Sequence, residues 1–495
     1  MKRFFPLLCI TIVLFSCKDD VVQTTTEPIT KSQINSIIDY HLEETGRFDW
    51  SMVNIDILWA AIENGDHIVT VGYGDDFAIK PETSTALLTQ RENLINLLVA
   101  NEQLQSAEDL SREDIILYED DELTHFDLFL KSRKSLDVLS RLDGIRYIEP
   151  GNYNYYTDEN SPQAVYSSSG CSTSPDNINR NDYVVDAQNA WIPWNFYAHN
   201  IPDAWSITSG SGITIGVVDT GISPDQNNFS SQFNSGLSQG RSFTKKGYYV
   251  SSWWPWASPD GPNDRCGHGT SMAATAAAPR NSEGVPTGVA YNSNLISVRG
   301  TSDVVLNGYN EQRGVANSIK YLAGRNDVKV ISMSIGNVFS VGRISDAIQD
   351  AYYNDGKLLL AAAGTSTSFT NWYGVIFPAW MSETVAVTGV RDGNGYEECD
   401  NCHTGSEVDF TVVMQRDNTS VNSVCLGFAG NTANYIGGSS VATATTAGIA
   451  ALIWSENPNW SRAQVLQKMK ESSDFYPNRN NEFGYGNIDA LEAVQ

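Results

Sequence analysis

Residues 213–221 read Ile-Thr-Ile-Gly-Val-Val-Asp-Thr-Gly. The first six form a nearly continuous, β-branched apolar run, which suits a strand buried on both faces of a parallel sheet. Asp219 then falls at the carboxyl end of that strand, where open α/β sheets place their ligands. Runs of similar length recur at 295–298, 328–333, 358–363 and 384–388, and they alternate with helical stretches at 268–278, 312–322, 344–353, 440–454 and 461–472. This alternation predicts an α/β fold with a parallel sheet between helix layers. Asp219 alone stays ambiguous, because an Asp after a strand is more often a turn or cap residue.

Two further sites narrow the reading. Of the six histidines, His268 has the distinctive setting Gly267-His268-Gly269-Thr270, followed by an Ala-rich helix whose small side chains permit close packing. Flanking glycines suit an imidazole that must meet a substrate, although a lone histidine is more often structural. Gly437-Gly438-Ser439-Ser440-Val441-Ala442-Thr443 opens the helix at 440, where a serine is ordinarily an N-cap.

Together, in the order Asp219, His268, Ser440, these segments resemble the three signatures of the subtilisin-like serine peptidases, the subtilases. The resemblance covers about residues 185–495 and includes Val330-Ile331-Ser332-Met333-Ser334-Ile335-Gly336, Gly288-Val289-Ala290, Phe377-Pro378-Ala379 and Phe483-Gly484-Tyr485-Gly486. It implies a subtilisin-like fold and a serine endopeptidase. Asp219 would orient His268, His268 would take a proton from Ser440, and the Ser440 oxygen would attack the scissile carbonyl. The resemblance further implies that Ser334, Ile335, Gly336 and Ala362, Ala363, Gly364 line the primary pocket and bind the peptide as an added strand. The Ser440 N–H would help hold the oxyanion.

The chain departs from the family at two places. Thr365 stands where subtilases usually carry the asparagine that donates to the oxyanion, so its hydroxyl is the expected substitute; Ala444 stands where a proline is usual. Thr365 motivates a rival reading, a catalytically silent subtilase fold that binds peptides. A third, transpeptidation, would use the same acyl-enzyme. No cofactor is expected and no metal ligands are assigned; calcium is frequent among subtilases, but no Asp-x-Asp-x-Asp-Gly loop is present, and a structural calcium stays an open matter.

The chain has 495 residues and a formal charge of −26, which argues against nucleic-acid partners. The imbalance is concentrated early: residues 18–160 hold 11 basic and 29 acidic side chains. Met1-Lys2-Arg3 and the short apolar run 4–15 have the order of an export signal. Leu14-Phe15-Ser16-Cys17 resembles a bacterial lipobox, which implies a signal at 1–17, a lipid on Cys17 as the sole membrane attachment, and an outer-membrane or cell-surface location. Lys18-Asp19-Asp20 adds weak support for surface export. Residues 18–31 read as a tether. Within 32–150, a short helix precedes the order strand, helix, strand, strand, helix, strand, the split β-α-β plan of ferredoxin-like α+β domains. In subtilases such a unit is the inhibitory propeptide, so the resemblance makes this domain the chain's own inhibitor. Residues 151–185 read as a linker holding the processing site, and 186–495 as the catalytic domain, released outside the cell once the linker is cut.

Five cysteines follow the signal, so at least one is left unpaired. Cys399-Asp400-Asn401-Cys402-His403 fits a surface-loop disulfide better than a zinc site, which wants four ligands. The segment Tyr248 to Trp256 is aromatic and reads either as a substrate rim or as local packing.

Overall fold

The computed structural model describes residues 28–75, 80–156, 170–252, 257–306, 308–365, 374–393 and 395–495. The expected signal, Cys17, most of the tether and Trp253, Trp254 and Trp256 lie outside them.

The first unit opens with helices α1 (Lys31–Thr45) and α2 (Ile55–Asn64). Thr30 and Gln33 cap α1 reciprocally, a capping box at the end of the tether. Then come β1 (Ile68–Tyr73), α3 (Thr85–Gln105), the single turn α4 (Arg112–Ile115), β2 (Ile116–Glu119), β3 (His125–Phe129), α5 (Arg133–Leu139) and β4 (Ile145–Pro150). The antiparallel sheet has the order β2-β3-β1-β4, which is the split β-α-β arrangement.

The second unit begins with the small hairpin β5 (Tyr183–Val185) and β6 (Trp191–Pro193), then the turn α6 (Ile201–Ala204). Its main strands are β7 (Thr214–Asp219), β8 (Phe243–Gly247), β9 (Asn294–Arg299), β10 (Val328–Met333), β11 (Leu358–Ala362), β12 (Val385–Arg391) and β13 (Val408–Gln415). They form one parallel sheet of order β13-β12-β11-β10-β7-β9-β8. Helices α7 (His268–Ala277), α8 (Tyr309–Ala323), α9 (Gly342–Tyr353), α10 (Ser439–Glu456) and α11 (Arg462–Glu471) connect or cover it, with the hairpin β14 (Ser423–Leu426) and β15 (Ala433–Ile436) before α10 and α12 (Ala490–Val494) at the end. Among the described residues two large apolar cores result, beside a small cluster of Val390, Val413 and Phe483. One lies on the α8–α9 side and continues into the first unit; the other holds α7 and α10. Parallel strands send their carboxyl ends to one edge, so Asp219, the residues after β10 and those after β11 converge there.

The first unit packs on α8 and α9 through polar groups. Asp127 of β3 pairs with Arg343 of α9 and accepts the Tyr309 hydroxyl at 2.7 Å. Arg146 binds both oxygens of Asp346 at 2.6 and 2.7 Å, and Glu149 accepts the Gly342 N–H at the start of α9 at 2.8 and 3.0 Å.

The stretch 151–185, read as a linker, is anchored at both ends. Tyr153 is buried against Trp50 and donates to Asn35 at 2.6 Å. At the other end Asp176 pairs with the backbone of Ala433 and Tyr435, and Asp182 binds Arg416. Composition alone missed this, because the bonds are made by Asp and Asn side chains that also typify loops. Of the aromatic segment, Tyr248 packs on Tyr321 and Tyr249 lies under the Arg299 guanidinium, so these two rings serve local packing.

Candidate active site

Asp219 ends β7 fully buried. Its Oδ1 accepts the Thr220 N–H at 2.7 Å, and its two oxygens lie 2.8 and 3.0 Å from His268 Nδ1. A carboxylate at Nδ1 fixes the proton there and leaves Nε2 as the basic atom of the neutral ring. Burial pulls the imidazole pKa down, but the charge and hydrogen bond of Asp219, reinforced by Asp264 and Asp303, raise it above its ordinary value.

The local chain explains this placement. His268 is the first residue of α7, after Gly267 at φ +94°, a conformation that favours glycine. Asp264 organises the loop: its Oδ1 accepts the N–H groups of Cys266 and Gly267 at 2.8 and 2.9 Å and the Thr220 hydroxyl at 2.9 Å. Its Oδ2 accepts the Thr270 N–H and hydroxyl at 3.0 and 2.7 Å. Asp264 thus joins the end of β7 to the start of α7, a role that sequence reasoning missed. Its only signal was an acidic residue shortly before a helix start.

Ser440 lies in the first turn of α10, and its carbonyl accepts the Ser334 hydroxyl at 3.0 Å. Ser440 and His268 line one cavity of about 330 Å³. All but one of the residues expected in the substrate pocket, Ser334, Ile335, Gly336, Ala362 and Gly364, line it as well; Ala363 is fully buried behind them. Thr365 is in the wall too, its Oγ1 3.1 Å from Ser439 Oγ and accepting the Ser439 N–H at 3.3 Å. Tyr156, from the segment after β4, also reaches this cavity.

Two disulfides border the site, Cys171–Cys266 and Cys399–Cys402. The second is the surface-loop disulfide expected from sequence: Glu397, Glu398, Asp400 and Asn401 are exposed, while Cys399 and Cys402 are buried and the Cys402 backbone pairs with that of Thr365. His403, just after the loop, is buried: it donates its N–H to the Gly364 carbonyl, and its own carbonyl accepts the Thr388 hydroxyl. Among the described residues Cys425 is the cysteine outside a disulfide; it is buried, and desolvation pushes its pKa up to about 12, which makes it inert. Among the described residues no cluster of three or more His, Cys, Asp or Glu side chains has a metal-binding arrangement.

Residues 210–486 match the family model "Subtilase family". The chain belongs to the subtilase family. It is a serine-type endopeptidase, acting on protein or peptide substrates. Relatives of this subtilase include the thermostable alkaline protease of Halalkalibacterium halodurans, 30% identical over 64% of this chain and 77% of the relative. Subtilisin E of Bacillus subtilis is 30% identical over 58% of this chain and 67% of its own. Among solved structures, fervidolysin from Fervidobacterium pennivorans, a keratinolytic enzyme related to subtilisin, aligns with a TM-score of 0.59 at 18% identity, covering 87% of this chain and 61% of that one. The subtilase fold thus agrees with the parallel sheet between helix layers expected from sequence.

Proposed function

We propose that this subtilase works through Asp219, His268 and Ser440 and is made as a self-processing zymogen. The observation that carries the reading is the His268 Nδ1 contact to the buried Asp219, on a ring that lines the same cavity as Ser440. His268 Nε2 takes the Ser440 hydroxyl proton as Oγ bonds to the scissile carbonyl carbon, whose oxygen becomes the oxyanion. The Ser440 N–H and the Thr365 hydroxyl donate to that oxygen. As the C–N bond breaks, His268 returns the proton to the leaving amine. Water then gives a proton to His268 as its oxygen bonds to the acyl carbon, and when the bond from that carbon to Ser440 Oγ breaks, His268 passes the proton to Oγ, which frees the acid and restores Ser440. The cycle draws on side chains and water, without a cofactor.

The acidic first unit acts as the inhibitor. Its β4 continues into the segment that brings Tyr156 to the cavity, so docking on α8 and α9 and occupation of the cleft are one event. A lipid on Cys17 would hold the zymogen at the outer membrane or cell surface, and cutting between residues 150 and 185 would unblock the cleft and separate the peptidase from that lipid. Among the described residues no helix is long and apolar enough to cross a membrane. The test is mass spectrometry after treatment with a fluorophosphonate. One adduct on Ser440, absent in His268→Ala, is expected; an unmodified Ser440 in processed protein would remove the nucleophile assignment.

A further inference from the structure

Cys171 is bonded to Cys266, two residues before His268, and the chain on either side of Cys171 fills the space beside the imidazole. A Cβ on Gly170 would lie 3.1 Å from His268 Cδ2 and 3.8 Å from Nε2, and one on Gly267 would meet the Ser172 carbonyl oxygen at 2.1 Å. Residues 170, 171 and 172 line the cavity together with Ser440. Downstream the chain is committed to the second unit: Asp176 N–H bonds the Ala433 carbonyl, Asn179 N–H bonds the Tyr435 hydroxyl at 2.8 Å, and β5 pairs with β6. Upstream, Tyr153 and Tyr155 hold the chain to the first unit, Tyr153 by donating to Asn35 and Tyr155 through its carbonyl, which accepts from Asn35 at 3.0 Å. The disulfide therefore marks where the second unit begins.

We propose that the Cys171–Cys266 bond makes residues 170–172 a permanent strap of the mature peptidase, because the maturing cut falls between Pro150 and Cys171 and leaves the strap as a wall of the substrate cleft over His268. This inference rests on the proposed triad and self-processing. A chain end produced by that cut would fray if nothing tied it down; the disulfide, closing a span of 95 residues, holds it against the ring. The strap then does two things. It gives an extended substrate a backbone surface beside the imidazole, and it shields part of a ring that is 3% exposed in the uncut chain.

The second effect has a definite sign. The charged groups around His268 are Asp219 at the end of β7, Asp264 in the loop before α7 and Asp303 after β9, and all three favour the imidazolium; burial is what opposes them. Removing the strap weakens the opposing effect, so the imidazole pKa rises further and the acid limb of the rate profile moves to higher pH.

The experiment begins with intact masses of the processed protein, before and after tris(2-carboxyethyl)phosphine. The phosphine takes the oxygen of a water molecule, and two electrons and the two protons go to each pair of sulfurs. The catalytic fragment is expected to gain only the hydrogens of its reduced disulfides. An N-terminal fragment that leaves only on reduction would put the cut after Cys171 and overturn the proposal. In the second arm Cys171→Ser/Cys266→Ser is compared with wild type for pH dependence of kcat/KM and for KM on an extended peptide. An acid midpoint about half a unit higher and a KM raised at least about threefold are expected; an unmoved midpoint with unmoved KM overturns the strap. If the double variant does not fold, reduced wild type gives the same two readouts, and the absence of both shifts overturns the strap there as well. Fluorophosphonate labelling of wild type at Ser440 separates these failures from failure of the triad itself.

Discussion

Thr365 is the proposed oxyanion donor, and its hydroxyl is held at the start of α10 by Ser439. A group acting mainly on the transition state should show itself in kcat. Thr365→Val keeps the shape and removes the donor; kcat is expected to fall about tenfold or more with KM little changed, and steady-state kinetics on a chromogenic peptide reads this directly. Unchanged kcat would leave the oxyanion to the backbone. Asp264 acts one step further back, by accepting five hydrogen bonds that tie β7 to α7. Asp264→Ala strands buried donors, so a loss of about 3 kcal/mol in denaturant unfolding is expected. It also removes a charge that supports the imidazolium, so the acid limb of kcat/KM should move to lower pH, an effect that loosened packing alone would not produce. Asp219, His268 and Ser440 could be singled out from sequence because each stands inside its own local pattern, and the fold places Asp219 against His268 and His268 in one cavity with Ser440. Asp264 could not be, since its importance comes from donors on two elements that only the fold brings together.

Helix α9 begins where the first unit ends: the Gly342 N–H bonds Glu149, the penultimate residue of β4, and a Cβ on Gly342 would enter the Tyr147 ring. Burial, with the nearby charge of Asp49, raises the Glu149 pKa from its ordinary 4.5 to about 8. The docked state thus binds a proton that the undocked state has released, and docking weakens as pH rises through 8. His125, buried nearby, has its pKa lowered from 6.5 by desolvation, so it titrates below this window. Affinity of the separated first unit for the second, measured by calorimetry from about pH 7 to 8.5, should fall with pH, and Glu149→Gln should flatten that slope. A rise with pH would contradict the assignment. At this scale the central strands were readable as apolar runs. The edge strand β8 was not, because Lys245 and Lys246 interrupt it, as is common where an edge must resist pairing. Helix α2 was missed for a different reason: at ten residues it is short, and Asp56, Glu63 and Asn64 are its only polar positions, which is too few to set its period apart from the apolar run around them.

For the whole molecule, the order of parts carries the proposed function: an expected lipid at Cys17, a first unit proposed as the inhibitor, a disulfide-fastened start of the second unit, then the peptidase. The parallel sheet and the family were readable from sequence; the anchoring of 151–185 was not, because its tyrosines and aspartates bond to partners more than a hundred residues away. If the lipid is the sole attachment, washing membranes with high salt and mild denaturant after processing should release the active fragment, and fragment retained after the first unit has been stripped would require another anchor. The most direct test of the central claim is expression of Ser440→Ala beside wild type in a protease-free system, with the products resolved by intact mass. Wild type is expected to separate into the first unit and a catalytic fragment, while Ser440→Ala stays joined from the first unit through Gln495; equal trimming of both chains would contradict the claim that Ser440 matures its own chain.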